Sequence, residues 1–145
     1  MIIKRLILAI SASAFALTAQ ESVEHPKPTT KLEAFQSKTG TVIVRGFSTV
    51  GTIRGLGGTV TIDAREFRDA SSPAIKTTGI SITIKELSRI ERENTSFIDY
   101  DEIDALIRGI DYIAKATKDI TSLSNFEAEY RTKGDFRVVV FNDSN

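Results

Sequence analysis

The sequence predicts an α+β fold: an antiparallel β-sheet of about five to seven strands with one amphipathic helix packed on it, in a single domain. Three observations carry this. Val60, Ile62 and Ala64 alternate with Thr61, Asp63 and Arg65, and Ile80, Ile82 and Ile84 alternate with Ser81, Thr83 and Lys85, which is the period of half-buried strands. Ile103, Leu106, Ile107, Ile110, Ile113 and Ala114 keep the i, i+3, i+4, i+7 spacing of a helix with one apolar stripe. Phe126, Ala128 and Tyr130 alternate with Glu127, Glu129 and Arg131, and a second apolar run, Phe136, Val138 and Val140, follows Lys133-Gly134, as in a hairpin.

Taken from the start, residues 1–19 read as a signal peptide. Lys4 and Arg5 form a basic region, 6–16 are apolar, and Ala14-Phe15-Ala16 or Leu17-Thr18-Ala19 supplies a small-x-small cleavage pattern. The apolar run is shorter than the roughly 20 residues of a spanning helix. The expected product is exported, periplasmic or secreted, with no transmembrane segment after cleavage. Residues 20–31 are polar, contain Pro26 and Pro28, and read as a linker. The single histidine, His25, falls there. Residues 32–145 then form the single α+β domain.

Composition narrows the function classes. Hydrophobic residues make up 41% and charged residues 26% of the chain, as in ordinary globular proteins. Of 19 basic side chains, loss of Lys4 and Arg5 leaves 17 against 19 acidic ones, a net charge near −2. A chain without basic surplus is not expected to bind nucleic acid, whose phosphates need one. There is no cysteine, so burial must stabilise an exported fold without disulfides.

From 32 to about 86 the signal is β. Thr41-Val42-Ile43-Val44-Arg45 is a short β-branched run. Gly46, Gly51, Gly55, Gly57 and Gly58 make the following stretch bent or loop-like. Phe67 breaks the alternation of its strand, which suggests a bulge near Arg65-Glu66. Segments 59–68 and 75–85 then pair as a long antiparallel hairpin around Asp69-Ala70-Ser71-Ser72-Pro73. Residues 87–95 read as a charged surface turn, and Phe97-Ile98 as a brief apolar re-entry. The helix is expected over 101–118, capped by Asp99 or Asp101, with Lys115 and Lys118 at its C-terminal end. Gly109 inside it costs about 1 kcal/mol against alanine and suggests close packing against a strand. Val139 and Phe141 make the last strand apolar on both faces, which marks either a covered strand or an interaction surface.

The segments Phe97-Ile98-Asp99-Tyr100-Asp101-Glu102-Ile103-Asp104, Gly109-Ile110-Asp111-Tyr112-Ile113 and Lys133-Gly134-Asp135-Phe136 resemble a group of small exported bacterial proteins with no assigned function. The resemblance covers most of the mature chain. It implies a shared fold and carries over no activity and no functional residue.

Each candidate chemistry has a structural alternative. Asp99, Asp101, Glu102 and Asp104 are calcium candidates, since that ion takes several carboxylates from one turn. The helical-loop calcium pattern fails, however, because Ile110 stands where its twelfth ligand belongs. Helix capping is the favoured account of these residues. Asp63, Glu66, Asp99 or Asp101 could supply an acid and a base for sugar hydrolysis, but no spacing singles out a pair. With no cysteine and one linker histidine, no catalytic constellation is assigned, and no cofactor or metal is expected. The glycine cluster 51–58 lacks the Gly-Lys-Ser/Thr and the following helix of a phosphate loop. Arg45, Arg54, Arg65 and Arg68 form an anion site only if they share one sheet face. Asn94-Thr95-Ser96 matches the glycosylation acceptor pattern, read as coincidence in a bacterial protein. Phe97, Tyr100, Tyr112, Phe126, Tyr130 and Phe141 line either a cavity or a plain core.

The expected function is a non-enzymatic binding or interaction module for an unknown protein or envelope component, with Val139 and Phe141 as its surface. The alternatives are a small apolar-ligand carrier with a pocket between helix and sheet, and third a carboxylate-based hydrolase.

Overall fold

A computed structural model describes residues 27–142. The expected signal peptide 1–19, most of the linker including His25, and the last three residues lie outside the described residues. The chain runs through α1 (Lys31–Gln36), β1 (Ile43–Gly55), β2 (Gly58–Asp69), β3 (Ser72–Glu86), β4 (Arg92–Asp99), α2 (Ile103–Ala114), β5 (Phe126–Arg131) and β6 (Arg137–Asn142). The architecture is α+β and antiparallel with one main helix. The single sheet of five to seven strands is corrected: β1-β2-β3-β4 form one sheet in that order, and β5-β6 form a separate hairpin.

The register assigns every side chain to a face, because antiparallel partners project to the same side. Val60 pairs with Ile84, Ile62 with Ile82, Ala64 with Ile80, and Ile80 with Ile98. Together they make an apolar face. Leu106 of α2 packs on Ile82 and Ile98, and Ile103, Tyr130 and Phe136 complete this core. Tyr130 and Phe136 therefore hold the hairpin against α2 and this core, and its strands pair with each other rather than with the four-stranded ladder.

The opposite face is polar along much of its length, but Phe67 sits there, 1% exposed. It follows Asp63 and Arg65 on the same face in unbroken register, so no bulge lies at Arg65-Glu66. The register shift falls instead between Arg68 and Asp69. Phe67 is apolar because α1 covers it, packing Leu32 and Phe35 on Phe67 with Ile43 and Phe97 alongside. The rings of Phe67 and Phe97 meet edge to face at 6.0 Å. Burying Leu32 and Phe67 is worth about 1.5–3 kcal/mol each. This helix stands where the sequence suggests strand. Thr30 and Glu33 form a capping box, the Glu33 N–H donating to Thr30 Oγ1 at 3.1 Å and the Thr30 N–H to Glu33 Oε2 at 3.1 Å.

Other boundaries move for local reasons. β1 runs straight through Gly46 and Gly51, with one extra residue inserted between Thr49 and Gly51, and Gly55 to Gly58 forms the hairpin turn. β4 begins at Arg92, so Phe97-Ile98 ends a strand paired to β3. A single 3-10 turn over Tyr100–Glu102 precedes α2, which stops at Ala114, with Lys115 as its C-cap and Lys118 in a separate turn. In the β5–β6 turn Asp135 adopts a left-handed φ of 61°.

Gly109 faces the ring of Tyr130, and any Cβ there would overlap that ring. Gly109→Ala would gain about 1 kcal/mol of helix propensity but overpack a core contact at about 1–3 kcal/mol. Net destabilisation is expected in urea unfolding, and Gly109→Ala placed on a Tyr130→Ala background should instead be stabilising relative to Tyr130→Ala alone.

Candidate functional site

The acidic segment between β4 and α2 is the most concentrated set of potential ligands in the sequence, and the structure directs Asp99 and Asp101 to the start of α1 and Glu102 to the β5–β6 turn. Asp99, the last residue of β4, is 1% exposed. It caps no part of α2. Its Oδ2 accepts the Lys31 N–H at 2.8 Å and its Oδ1 the Leu32 N–H at 3.1 Å. These are donors at the start of α1, which a helix leaves unpaired. Asp101 turns outward to Lys31 Nζ at 2.8 Å. That hydrogen bond and the ammonium charge hold the Asp101 carboxyl below its ordinary range and raise the Lys31 ammonium. Glu102 is buried and accepts the Lys133 N–H on Oε1 at 2.8 Å, while its Oε2 is buried without a hydrogen-bond partner. Asp104 is exposed in the first turn of α2, the favourable end of the helix dipole for a carboxylate.

Asp99 and Glu102 are therefore backbone clamps. One fastens α1 across the polar face, and the other fastens the β5–β6 turn. Among the described residues no group of three or more His, Cys, Asp or Glu is arranged to hold a metal ion. Of the four calcium candidates, Asp99 and Asp101 are taken by the start of α1, Glu102 by the Lys133 N–H, and Asp104 is exposed.

The other carboxylates are likewise engaged. Asp63 and Glu66 differ by an odd number of residues on β2, so they project to opposite faces and cannot serve as one acid–base pair. Asp63 accepts from Arg65 at 2.9 Å and from Thr49 at 2.8 Å. Glu66 binds Arg68 at 2.6 Å and Lys76 at 3.4 Å, and the Arg68 hydrogen bond holds its carboxyl low. The register puts Arg45, Arg54 and Arg65 on the α1 face and Arg68 on the α2 face, so the four arginines do not form one patch.

Two concavities matter. A groove of about 610 Å³ runs between α1 and the β5–β6 turn, with Lys27, Glu33, Gln36, Arg131, Lys133 and Asp135 on its walls. Asp135 there binds Arg131 at 2.6 Å and Arg137 at 3.2 Å. A more apolar groove of about 370 Å³ lies at the tips of the long strands, between Ile53, Val60, Ile84 and the Gly55–Gly58 turn. The space between α2 and the sheet is filled by Leu106, Ile103, Tyr130 and Phe136. The six aromatic candidates do not converge: Phe97 and Tyr130 belong to different cores, and Tyr100, Tyr112 and Phe141 are exposed.

On the hairpin, Phe126, Ala128, Tyr130, Val138 and Val140 are half-buried. Val139 and Phe141 project from the other side, 41% and 69% exposed. They stand opposite Glu129 and Glu127 respectively. Two apolar side chains thus interrupt an otherwise charged outer face. Among the described residues no helix is long and apolar enough to cross a membrane. No family model, no curated protein and no solved structure matches this chain.

Two outcomes follow, one from the Asp99 clamp and one from the capping box of α1. Asp99→Asn keeps the size of the side chain but replaces one acceptor by a donor facing an N–H. A loss of about 1.5–3 kcal/mol is expected from the urea midpoint. For Glu33, burial pushes the carboxyl up, but the Thr29 and Thr30 backbone N–H groups and their hydroxyls outweigh it and hold it low. Its folded value lies below its unfolded value, so its contribution is present at neutral pH and lost as pH falls through the folded value. Glu33→Gln should lower Tm at pH 7 and narrow the gap from wild type as pH drops below about 4.

Proposed function

We propose that this protein is an exported, non-enzymatic interaction module that binds a protein or envelope component through the outer face of its β5–β6 hairpin. The observation that carries the reading is the exposure of Val139 and Phe141 on a face whose other residues are charged. Apolar groups surrounded by polar ones are the usual anatomy of a contact surface. The engagement of Asp63, Glu66, Asp99, Asp101 and Glu102 in ion pairs and backbone clamps supports a binding role over a hydrolytic one. The leader-like pattern at 1–19 supports export.

The apolar groove at Ile53, Val60 and Ile84 favours a second reading, a carrier of a small apolar molecule. That groove lies at the strand tips rather than between helix and sheet. Native mass spectrometry of the purified protein would reveal such a ligand as a bound mass.

The primary reading is tested by crosslinking the tagged protein in its native envelope and culture medium. One dominant protein partner is expected with wild type and is lost with Val139→Glu/Phe141→Glu at unchanged Tm. Retention of the same partner by the double variant assigns binding to another surface.

A further inference from the structure

We propose that the free edge of β1 is a strand-addition site for an extended partner segment in which acidic and apolar residues alternate. β1 is an outer strand of its sheet, hydrogen-bonded to β2 alone among the described strands. At about 3.4 Å per residue its 13 residues expose an edge of about 44 Å. Every second residue turns its N–H and C=O to that side. Edges of this kind are normally blunted by lysine, proline, inward charge, bulges or shortness, and of these β1 has the single bulge at Val50. Residues 43–55 contain no Lys, Pro, Asp or Glu. Val44, Phe47, Val50 and Ile53 are instead 52%, 71%, 68% and 62% exposed. The sheet's other edge is different: Gly134 of the β5–β6 turn lies against the Phe97 carbonyl of β4, and β4 opens on Arg92 and Glu93.

The charge pattern selects the occupant. The register, with its extra residue at Val50, puts Arg45, Phe47 and Arg54 on the α1 face, with Phe47 under the Arg65 guanidinium at 5.3 Å, and Val44 and Ile53 on the other. Among the described residues neither arginine makes an ion pair. The β2 carboxylates on their face are taken, Asp63 by Arg65 and Thr49, and Asp69 by Thr41 and Ser71. A strand carrying acidic residues beside Arg45 and Arg54 on the α1 face and apolar residues beside Val44 and Ile53 on the other complements these positions. A second copy paired through β1 brings together four guanidiniums from the two β1 strands with no β1 carboxylate between them, which cross-strand electrostatics opposes. The bulge divides the edge into 43–49 and 51–55, each holding one arginine. Backbone pairing supplies the affinity and the charge row the choice of partner. The site lies on a different sheet from Val139 and Phe141, so either can fail without the other.

The test uses the full chain and a blocked nonapeptide alternating glutamate and valine, with a lysine–valine counterpart. Amide hydrogen exchange is read across 43–55 and 92–99. The glutamate peptide should slow exchange at 43–55 and leave 92–99 unchanged. Arg45→Glu/Arg54→Glu should weaken it by about tenfold, two cross-strand pairs having reversed sign, and should favour the lysine peptide instead. Val139→Glu/Phe141→Glu should leave this binding intact. The proposal is overturned if neither peptide slows exchange at 43–55 or if both act equally on both proteins. It is also overturned if sedimentation shows a dimer whose formation already protects 43–55, which would assign the edge to a second copy.

Discussion

The carboxylate of Asp99 holds the start of α1 across the polar face of the four-stranded sheet, and the arrangement of that whole side depends on it. A six-residue helix is too short to be stable alone. It persists because its first N–H groups end on a buried anion, because Thr30 and Glu33 cap each other, and because Leu32 and Phe35 find Phe67 beneath them. Gly79 is required at the crossing point. A Cβ there would overlap both the Ile98 carbonyl and the Leu32 side chain. Three residues after Asp99, Glu102 makes the matching contact to the hairpin turn through the Lys133 N–H. The short stretch joining β4 to α2 therefore ties both covering layers to the sheet.

This arrangement changes what the acidic segment means. Clustered carboxylates suggest a cation or a proton-transfer pair when read along the chain. In the fold Asp99 and Asp101 are taken by Lys31 and Leu32 at the start of α1, Glu102 accepts the Lys133 N–H through one oxygen, and Asp104 is exposed. Apolar residues are exposed on the hairpin's outer face and along the edge of β1, both suited to contact with a polypeptide.

The elements with internal periodicity were legible in the sequence. The β2–β3 hairpin, the β5–β6 hairpin with its inner and outer faces, and the apolar stripe of α2 follow from side-chain alternation within each segment. The tight packing of Gly109 also followed, since a helix keeps glycine there for want of space. What could not be seen was anything set by a distant partner. Leu32 and Phe35 look like a strand start until Asp99, 67 residues away from Leu32, is known to receive their helix. Phe67 looks out of phase until the face it joins is known to be covered. Gly46 and Gly51 look like loop residues, yet β1 runs through them because β2 supplies a full ladder. The division into two sheets was hidden for the same reason, since Tyr130 and Phe136 reveal their layer only through Ile82, Ile98 and Leu106. The buried clamps did leave one signal: Asp99 sits beside Ile98 at the end of an apolar strand, where a solvated charge is out of place.

On this structure α1 belongs to the cooperative unit of the sheet and is not a loosely attached segment. Native-state hydrogen exchange at the Lys31 and Leu32 amides, compared with Ile82 and Ile98 in the sheet, tests this. The Leu32 amide is expected to open only with the sheet, sharing its free energy and denaturant dependence. Exchange of Leu32 through a local opening, with Ile82 and Ile98 still protected, would show α1 to be a separate, weakly held segment.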